Sequence, residues 1–163
     1  MRLLKLKGDG QSSLVKVIGD KIPPYAILSH RWGRDSEEVT LKDLENNTGK
    51  SKIGYRKLNF CAKQAVRDRL EYCWIDTCCI DRANHTELSE AINSMFKWYH
   101  GATKCYVYLP DVLMHDNQFA QDQWESAFLK STWFTRGWTL QELIAPASVE
   151  FFSIEGKLLG DKK

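Results

Sequence analysis

Apolar residues recur along the chain with two periods, and the switches between them predict the elements. Met1 to Lys7 and Ser12 to Val17 are short strand-like runs, and Gly8-Asp9-Gly10 between them is a hairpin turn signal. Lys21-Ile22-Pro23-Pro24 breaks regular structure. Tyr25 to Ser29 is a compact apolar run that opens into Ser29-His30-Arg31-Trp32-Gly33, as a buried parallel strand feeding a polar loop does. After the charged loop Arg34 to Glu38, Leu41 to Leu44 predicts one helical turn with Thr40 as its N-cap. From Tyr55 to Leu70, the residues Leu58, Cys61, Ala62, Ala65, Val66 and Leu70 follow a helical period, with lysines and arginines on the other face. Tyr72 to Asp76 is a second buried strand. Asn84 with Glu87 three residues on resembles a capping box for a helix over 86–99, and Gly101 ends that helix. Its apolar stripe is Leu88, Ala91, Ile92, Met95, Phe96 and Tyr99. Lys104 to Leu109 is a third strand, closed by Pro110-Asp111. Asp116 to Gln123 is polar loop or helix start, and Trp124 to Leu129 continues as helix. Val149 to Phe152 is a fourth strand, and 154–158 reads as a turn into another.

Strand and helix alternate, which is the pattern of an open, mostly parallel α/β sheet flanked by helices, here preceded by an N-terminal β-hairpin. In such sheets ligands bind beyond the carboxyl ends of the strands. Ser29 to Gly33, Asp76 to Arg82, Pro110-Asp111 and the loop before Trp138 all fall at that edge.

The densest chemistry lies in Ser131-Thr132-Trp133-Phe134-Thr135-Arg136-Gly137-Trp138-Thr139-Leu140-Gln141-Glu142-Leu143. From Trp138 to Ala145 it reads as a short helix, with Leu140, Leu143 and Ile144 on one face. Trp138 and Glu142 are four apart and share a face, setting an aromatic wall beside a carboxylate. On spacing alone the favoured reading is plainer: a Trp that fills the core and a Glu that faces water.

Composition narrows the classes. The 163 residues are 43% hydrophobic and 27% charged, enough for one domain with a real core. A net charge of +2 makes no electrostatic case for nucleic acid. No apolar run reaches the length of a bilayer span and no signal peptide opens the chain, so a cytoplasmic protein with five reduced cysteines is expected. Cys73, Cys78, Cys79 and His85 lack the spacing of a zinc site, so core thiols are expected and no metal. Ser29 has no Gly-x-Ser-x-Gly elbow around it, which argues against a hydrolase triad. There is no Gly-x-Gly-x-x-Gly or Walker A loop. Asp76 and Asp81 end a strand, where they either meet a ligand or cap the following loop, and both readings stay open. Glu90, in the first turns of its helix, is explained by the helix dipole, and is kept as a secondary site candidate.

Four blocks resemble a known family: Tyr25 to Gly33, Trp74-Ile75-Asp76-x-x-Cys79-Ile80-Asp81, Leu88 to Ile92, and Trp133 to Leu143. They closely resemble the fungal heterokaryon-incompatibility (HET) domain, in the family's order, over 25–152. On that reading 1–24 is hairpin and lead-in, and 153–163 begins a truncated C-terminal extension of a longer chain carrying receptor or regulatory domains. The resemblance implies a programmed cell death effector in nonself recognition. HET domains are in turn similar to Toll/interleukin-1 receptor (TIR) domains, which implies a flavodoxin/TIR-like sheet. The N-terminal hairpin and the Arg34 to Tyr55 insertion depart from the TIR pattern. Some TIR domains hydrolyse NAD, and their catalytic glutamate falls on the position of Glu142. The resemblance thus implies NAD as substrate, with no further cofactor, and Ser29, His30, Arg31, Trp32, Gly33, Asp76, Asp81 and Trp138 as binding residues. It also implies a homo-oligomer in the active state. The competing class is a non-enzymatic module that triggers cell death by self-association, with Trp133, Phe134 and Trp138 as core or interface anchors.

Overall fold

The computed structural model describes residues 1–7, 11–19, 21–114 and 121–162. The Gly8-Asp9-Gly10 turn signal and residues 116–120 of the Asp116 to Gln123 stretch, predicted as loop or helix start, lie outside the described residues.

Seven strands form one sheet: β1 (Arg2–Leu6), β2 (Ser12–Lys16), β3 (Ala26–His30), β4 (Tyr72–Trp74), β5 (Lys104–Tyr108), β6 (Val149–Phe152) and β7 (Leu158–Lys162). Their order is β2-β1-β4-β3-β5-β6-β7. The central β4, β3, β5 and β6 are parallel, while the β1–β2 hairpin and β7 add antiparallel edges. Counted in chain order, the parallel strands run 2-1-3-4. That is the flavodoxin-like doubly wound arrangement, whose ligand crevice opens beside the first strand, here β3. All five residues of β3 are buried, as expected of a strand covered on both faces.

The helices are α1 (Leu41–Glu45), α2 (Tyr55–Arg67), α3 (Asp76–Cys79), α4 (His85–Gly101), α5 (Gln121–Leu129) and α6 (Thr139–Ile144), with a 3₁₀ turn at Thr132–Thr135. Alternation along the strands assigns them to faces. Phe152 meets Phe60 of α2 at 5.0 Å between ring centroids, while its neighbour Phe151 meets Phe128 of α5 at 5.2 Å and Trp133 at 5.8 Å. Trp74 packs against Trp98 and Tyr99 of α4 at 5.4 and 6.3 Å. Helix α2 therefore covers one face, and α4, α5 and the 3₁₀ turn cover the other. The five cysteines are all buried free thiols within these layers.

The caps follow the sequence, with one refinement. Thr40 caps α1 in a full capping box with Asp43. Asn84 accepts from the Glu87 amide at 3.1 Å. The Glu87 carboxylate turns to the Arg2 guanidinium and to the Asp81 amide, tying the hairpin to α4. Strand β4 stops at Trp74, because Asp76 already begins α3. Two predicted stripes need correction. Ile92 and Phe96 of α4 are exposed, as is Val66 of α2.

Ile27, fully buried at the centre of β3, reports on this core. Ile27→Ala is expected to lower the unfolding free energy by about 2–5 kcal/mol, read from urea denaturation midpoints at unchanged slope.

Candidate active site

The site is assembled where β3 ends. Ser29 and His30 are consecutive, so they leave the sheet on opposite faces. Ser29 lies on the α4 side and His30 on the α2 side, and both are buried.

On the α4 side, Ser29 meets Glu142. The Ser29 hydroxyl donates to Oε2 at 2.5 Å, and Trp133 Nε1 donates to the Ser29 oxygen at 2.8 Å. Arg136 closes the carboxylate with a two-pronged ion pair, Nη1 to Oε2 at 2.9 Å and Nη2 to Oε1 at 3.2 Å. The local sequence dictates this geometry. Asp111, just past β5, accepts from Ser131 Oγ and from both the amide and the hydroxyl of Thr132 at 2.7–2.8 Å. Burial alone would raise the Asp111 carboxyl, but the Thr132 and Ser131 bonds hold it below its ordinary value. That anchor starts the 3₁₀ turn, which buries Trp133, and the Thr139 hydroxyl returns to the Trp133 carbonyl at 2.6 Å to begin α6. Helix α6 then presents Glu142 inward.

The predicted apolar stripe of α6 keeps only Leu143 against the core. Leu140 and Ile144 are 66% and 58% exposed, whereas Glu142 is 3% exposed and Thr139 is also buried. Trp138 stands half-exposed above Glu142. The physical reason is the ion pair with Arg136. A carboxylate with three donors can be buried in the place that the apolar residues were expected to fill.

On the α2 side, His30 sits between two carboxylates. Its Nε2 lies 3.8 Å from Asp76 Oδ1 and 4.0 Å from Glu38 Oε2, beyond hydrogen-bond reach. Burial first, then the cations Lys57, Arg136 and Arg82, push the imidazole well below its usual value, so it is neutral at pH 7. Glu38 is paired with Lys57 and accepts from the Gly33 amide at 2.6 Å, and Lys57 also donates to the Arg31 carbonyl at 2.8 Å. Glu38 from the 34–55 segment and Lys57 from α2 thus form a buried ion pair that pins the loop after β3.

Asp76 opens α3. Its Oδ2 accepts from Trp32 Nε1 at 2.8 Å, and the Arg82 guanidinium lies over the Trp32 ring, 3.9 Å from its centroid. Oδ1 has no hydrogen-bond partner among the described residues. Burial pushes this carboxyl up to about 6, opposed by Arg82 and reinforced by Glu142.

Trp32, Asp76, Arg82, Arg136 and Glu142 border one cleft of about 420 Å³. Its walls are apolar, from Trp32, Trp138 and the α4 residues Leu88, Ile92 and Met95. Arg31, Arg82 and Arg136 stand with Asp76 and Glu142 among them. A second cavity of about 520 Å³ lies on the other side of Arg31 and Trp32, lined by Gly33, Arg34, Ile53 and Pro110. The pair suits an extended ligand with a flat ring, anionic groups for the arginines and a cationic part for the carboxylates. Among the described residues no group of three His, Cys, Asp or Glu side chains is placed to hold a metal ion. No helix among them is long and apolar enough to cross a membrane.

Of the residues singled out in the sequence, Arg31, Trp32, Asp76, Trp138 and Glu142 line the cleft. Ser29 and His30 lie directly behind it, and Gly33 faces the second cavity. Asp81 stands apart: its carboxylate caps the loop by accepting from the Ala83 amide at 3.0 Å. Glu90 is exposed and borders a separate cavity with Arg2 and Lys16. Sequence reasoning missed Arg82, Arg136, Glu38 and Lys57 as members. Arg136 lies inside a motif block and had a signal, and Arg82 falls just after one, at the end of the Asp76 to Arg82 run, whereas Glu38 and Lys57 looked like an ordinary charged loop and a solvated helix face.

A family model described as heterokaryon incompatibility protein (HET) matches residues 25–119, the stretch that carries β3, α3 and α4. The chain belongs to the HET family. It is 57% identical over 164 aligned residues to the vegetative incompatibility protein HET-E-1 of Podospora anserina. The match covers 99% of this chain, which spans 12% of that relative's length. No solved structure matches.

Arg136 offers a direct test of the buried carboxylate. Arg136→Ala leaves Glu142 without its counter-ion and is expected to cost about 3–5 kcal/mol of stability. Adding Glu142→Gln to that variant is expected to recover most of the loss, a coupling that a double-mutant denaturation cycle measures.

Proposed function

We propose that this HET domain is an effector of incompatibility cell death, and that it acts by hydrolysing the nicotinamide–ribose bond of NAD with Glu142 as the catalytic carboxylate. The observation that carries this reading is the placement of Glu142. It is buried and ion-paired, yet at the cleft rather than away from it, between two half-exposed tryptophans and three arginines. The family and the relative's name support the role in incompatibility. The motif around Glu142 resembles that of TIR domains, and the 2-1-3-4 sheet order is compatible with the same kinship.

The chemistry fits the groups present. The nicotinamide ring is flat and cationic, and Trp32 or Trp138 gives it a face on which to stack beside a carboxylate. Arg31 meets the diphosphate, and the second cavity receives the far half of the dinucleotide. As the C1′–N bond lengthens, its electron pair passes to the ring nitrogen and positive charge develops on the ribose. Glu142, fixed by Ser29 and Arg136, stabilises that charge without reorganising. Water then forms the new C1′–O bond and loses a proton, giving ADP-ribose and free nicotinamide.

One observation favours self-association as part of the function. Ile92 and Phe96 on α4, with Leu140 and Ile144 on α6, form an exposed apolar face beside the cleft. Association through it would place a second copy at the mouth of the site. In a longer protein, receptor or regulatory domains would drive that association. A cytoplasmic setting, where NAD and reduced thiols coexist, suits the five buried cysteines.

Nicotinamide release by the purified chain, followed at rising protein concentration, tests the proposal. Release is expected to climb more steeply than protein concentration, and Glu142→Gln is expected to lower kcat at least about a hundredfold. Equal release by the folded variant, or none by the wild type at any concentration, would transfer the function to assembly alone.

A further inference from the structure

The cleft holds two carboxylates in opposite circumstances. Glu142 accepts three hydrogen bonds, one from Ser29 and two from Arg136. Asp76 accepts one, from Trp32 on Oδ2, and its Oδ1 is buried with no partner. Behind Oδ1 stands His30, neutral and 3.8 Å away, which offers no charge to the anion. A carboxylate so well supplied with donors gains little by taking a proton and is suited to act as a fixed charge. One left undersupplied in a buried cleft gains much, and is suited to proton transfer. When two carboxylates share a cleft, such a difference divides the electrostatic role from the proton-handling one.

Resting on the NAD-hydrolysis reading above, we propose that Asp76 is the general base that takes the proton of the attacking water, while Glu142 acts through its charge. The water oxygen bonds to C1′ as nicotinamide departs with the C1′–N electron pair. One water proton moves to the Asp76 carboxylate and then to solvent. The Trp32 indole, itself held under Arg82, fixes the carboxyl orientation. The elevated value of about 6 accords with this role, since the group is mostly ionised at pH 7 yet basic enough to accept a proton. The charged and titratable groups facing Asp76 are Glu142, Arg136, Arg82, His30, Tyr99 and Cys78. Tyr99 and Cys78 are pushed above their usual values and His30 below its own, so none of these three changes charge near pH 6.

The test separates attack by water from attack by a nucleophile that carries no proton to lose. Hydrolysis requires the base. Exchange of nicotinamide for labelled nicotinamide or for 3-acetylpyridine requires only bond cleavage and charge stabilisation. Asp76→Asn is nearly isosteric and keeps an acceptor for Trp32. It is expected to lower kcat for hydrolysis about a hundredfold or more while retaining pyridine exchange, which also shows that the variant is folded. Glu142→Gln is expected to lose both reactions. Wild-type kcat is expected to fall below about pH 6 as Asp76 protonates, and Asp76→Asn to lack that limb. Undiminished hydrolysis by Asp76→Asn, or equal loss of hydrolysis and exchange, would overturn the assignment while leaving NAD cleavage standing. A wild type that neither hydrolyses nor exchanges NAD would remove the underlying reading as well.

Discussion

The buried charge of Glu142 is the constraint on which the last third of the molecule depends. An unpaired carboxylate at this depth would cost several kcal/mol, so the fold must bring donors to it. They come from three places in the chain: Ser29 at the tip of β3, Trp133 acting through Ser29, and Arg136 in the segment before α6. Meeting that demand fixes the 3₁₀ turn against Asp111, the direction of α6 and its distance from the sheet. The tip of the central strand and the cleft are therefore one construction. Altering the carboxylate alters both packing and chemistry.

A second buried pair does the same on the opposite face. Glu38 and Lys57 tether the loop after β3 through the Gly33 amide and the Arg31 carbonyl, which places Trp32 and Arg31 at the cleft rim. His30 fills the space between the two charged systems without carrying charge itself. The outcome is a short range of alternating charges, Arg82, Asp76, Arg136 and Glu142, bounded by aromatic and aliphatic walls. Such a surface discriminates against simple anions and simple cations alike. It favours a ligand with both kinds of charge and a flat ring.

The order of the elements was legible in the sequence because strands buried on both faces and amphipathic helices leave unmistakable periods. Tyr25 to Ser29 and Tyr55 to Leu70 are the clear cases. The orientation of α6 was not legible. Leu140, Leu143 and Ile144 describe an apolar stripe, and nothing in spacing reveals that an arginine six residues before Glu142 folds back to neutralise it. Arg82 was hidden for a related reason, since its stacking on Trp32 joins loops 50 residues apart in the chain. Glu38 and Lys57 were illegible because buried ion pairs have the composition of solvated surface. Glu142 and Asp76 could be singled out because they stand in contiguous motif blocks at the ends of elements, where side chains are held close to their sequence neighbours. Asp81 looked equivalent to Asp76, yet five residues place it beyond α3, where it caps a loop.

The central claim is that the cleft beneath Trp138, with Glu142 among its polar groups, binds the dinucleotide, and the six tryptophans supply reporters for it. The most direct measurement is the ¹⁵N–¹H spectrum of the indole groups during titration with a carbocyclic NAD analogue, whose glycosidic bond does not break. Saturable shifts of the Trp32 and Trp138 indole signals, with Trp98 and Trp124 unmoved, are the predicted result. No saturable shift at all, or shifts confined to Trp98 and Trp124, would contradict the account.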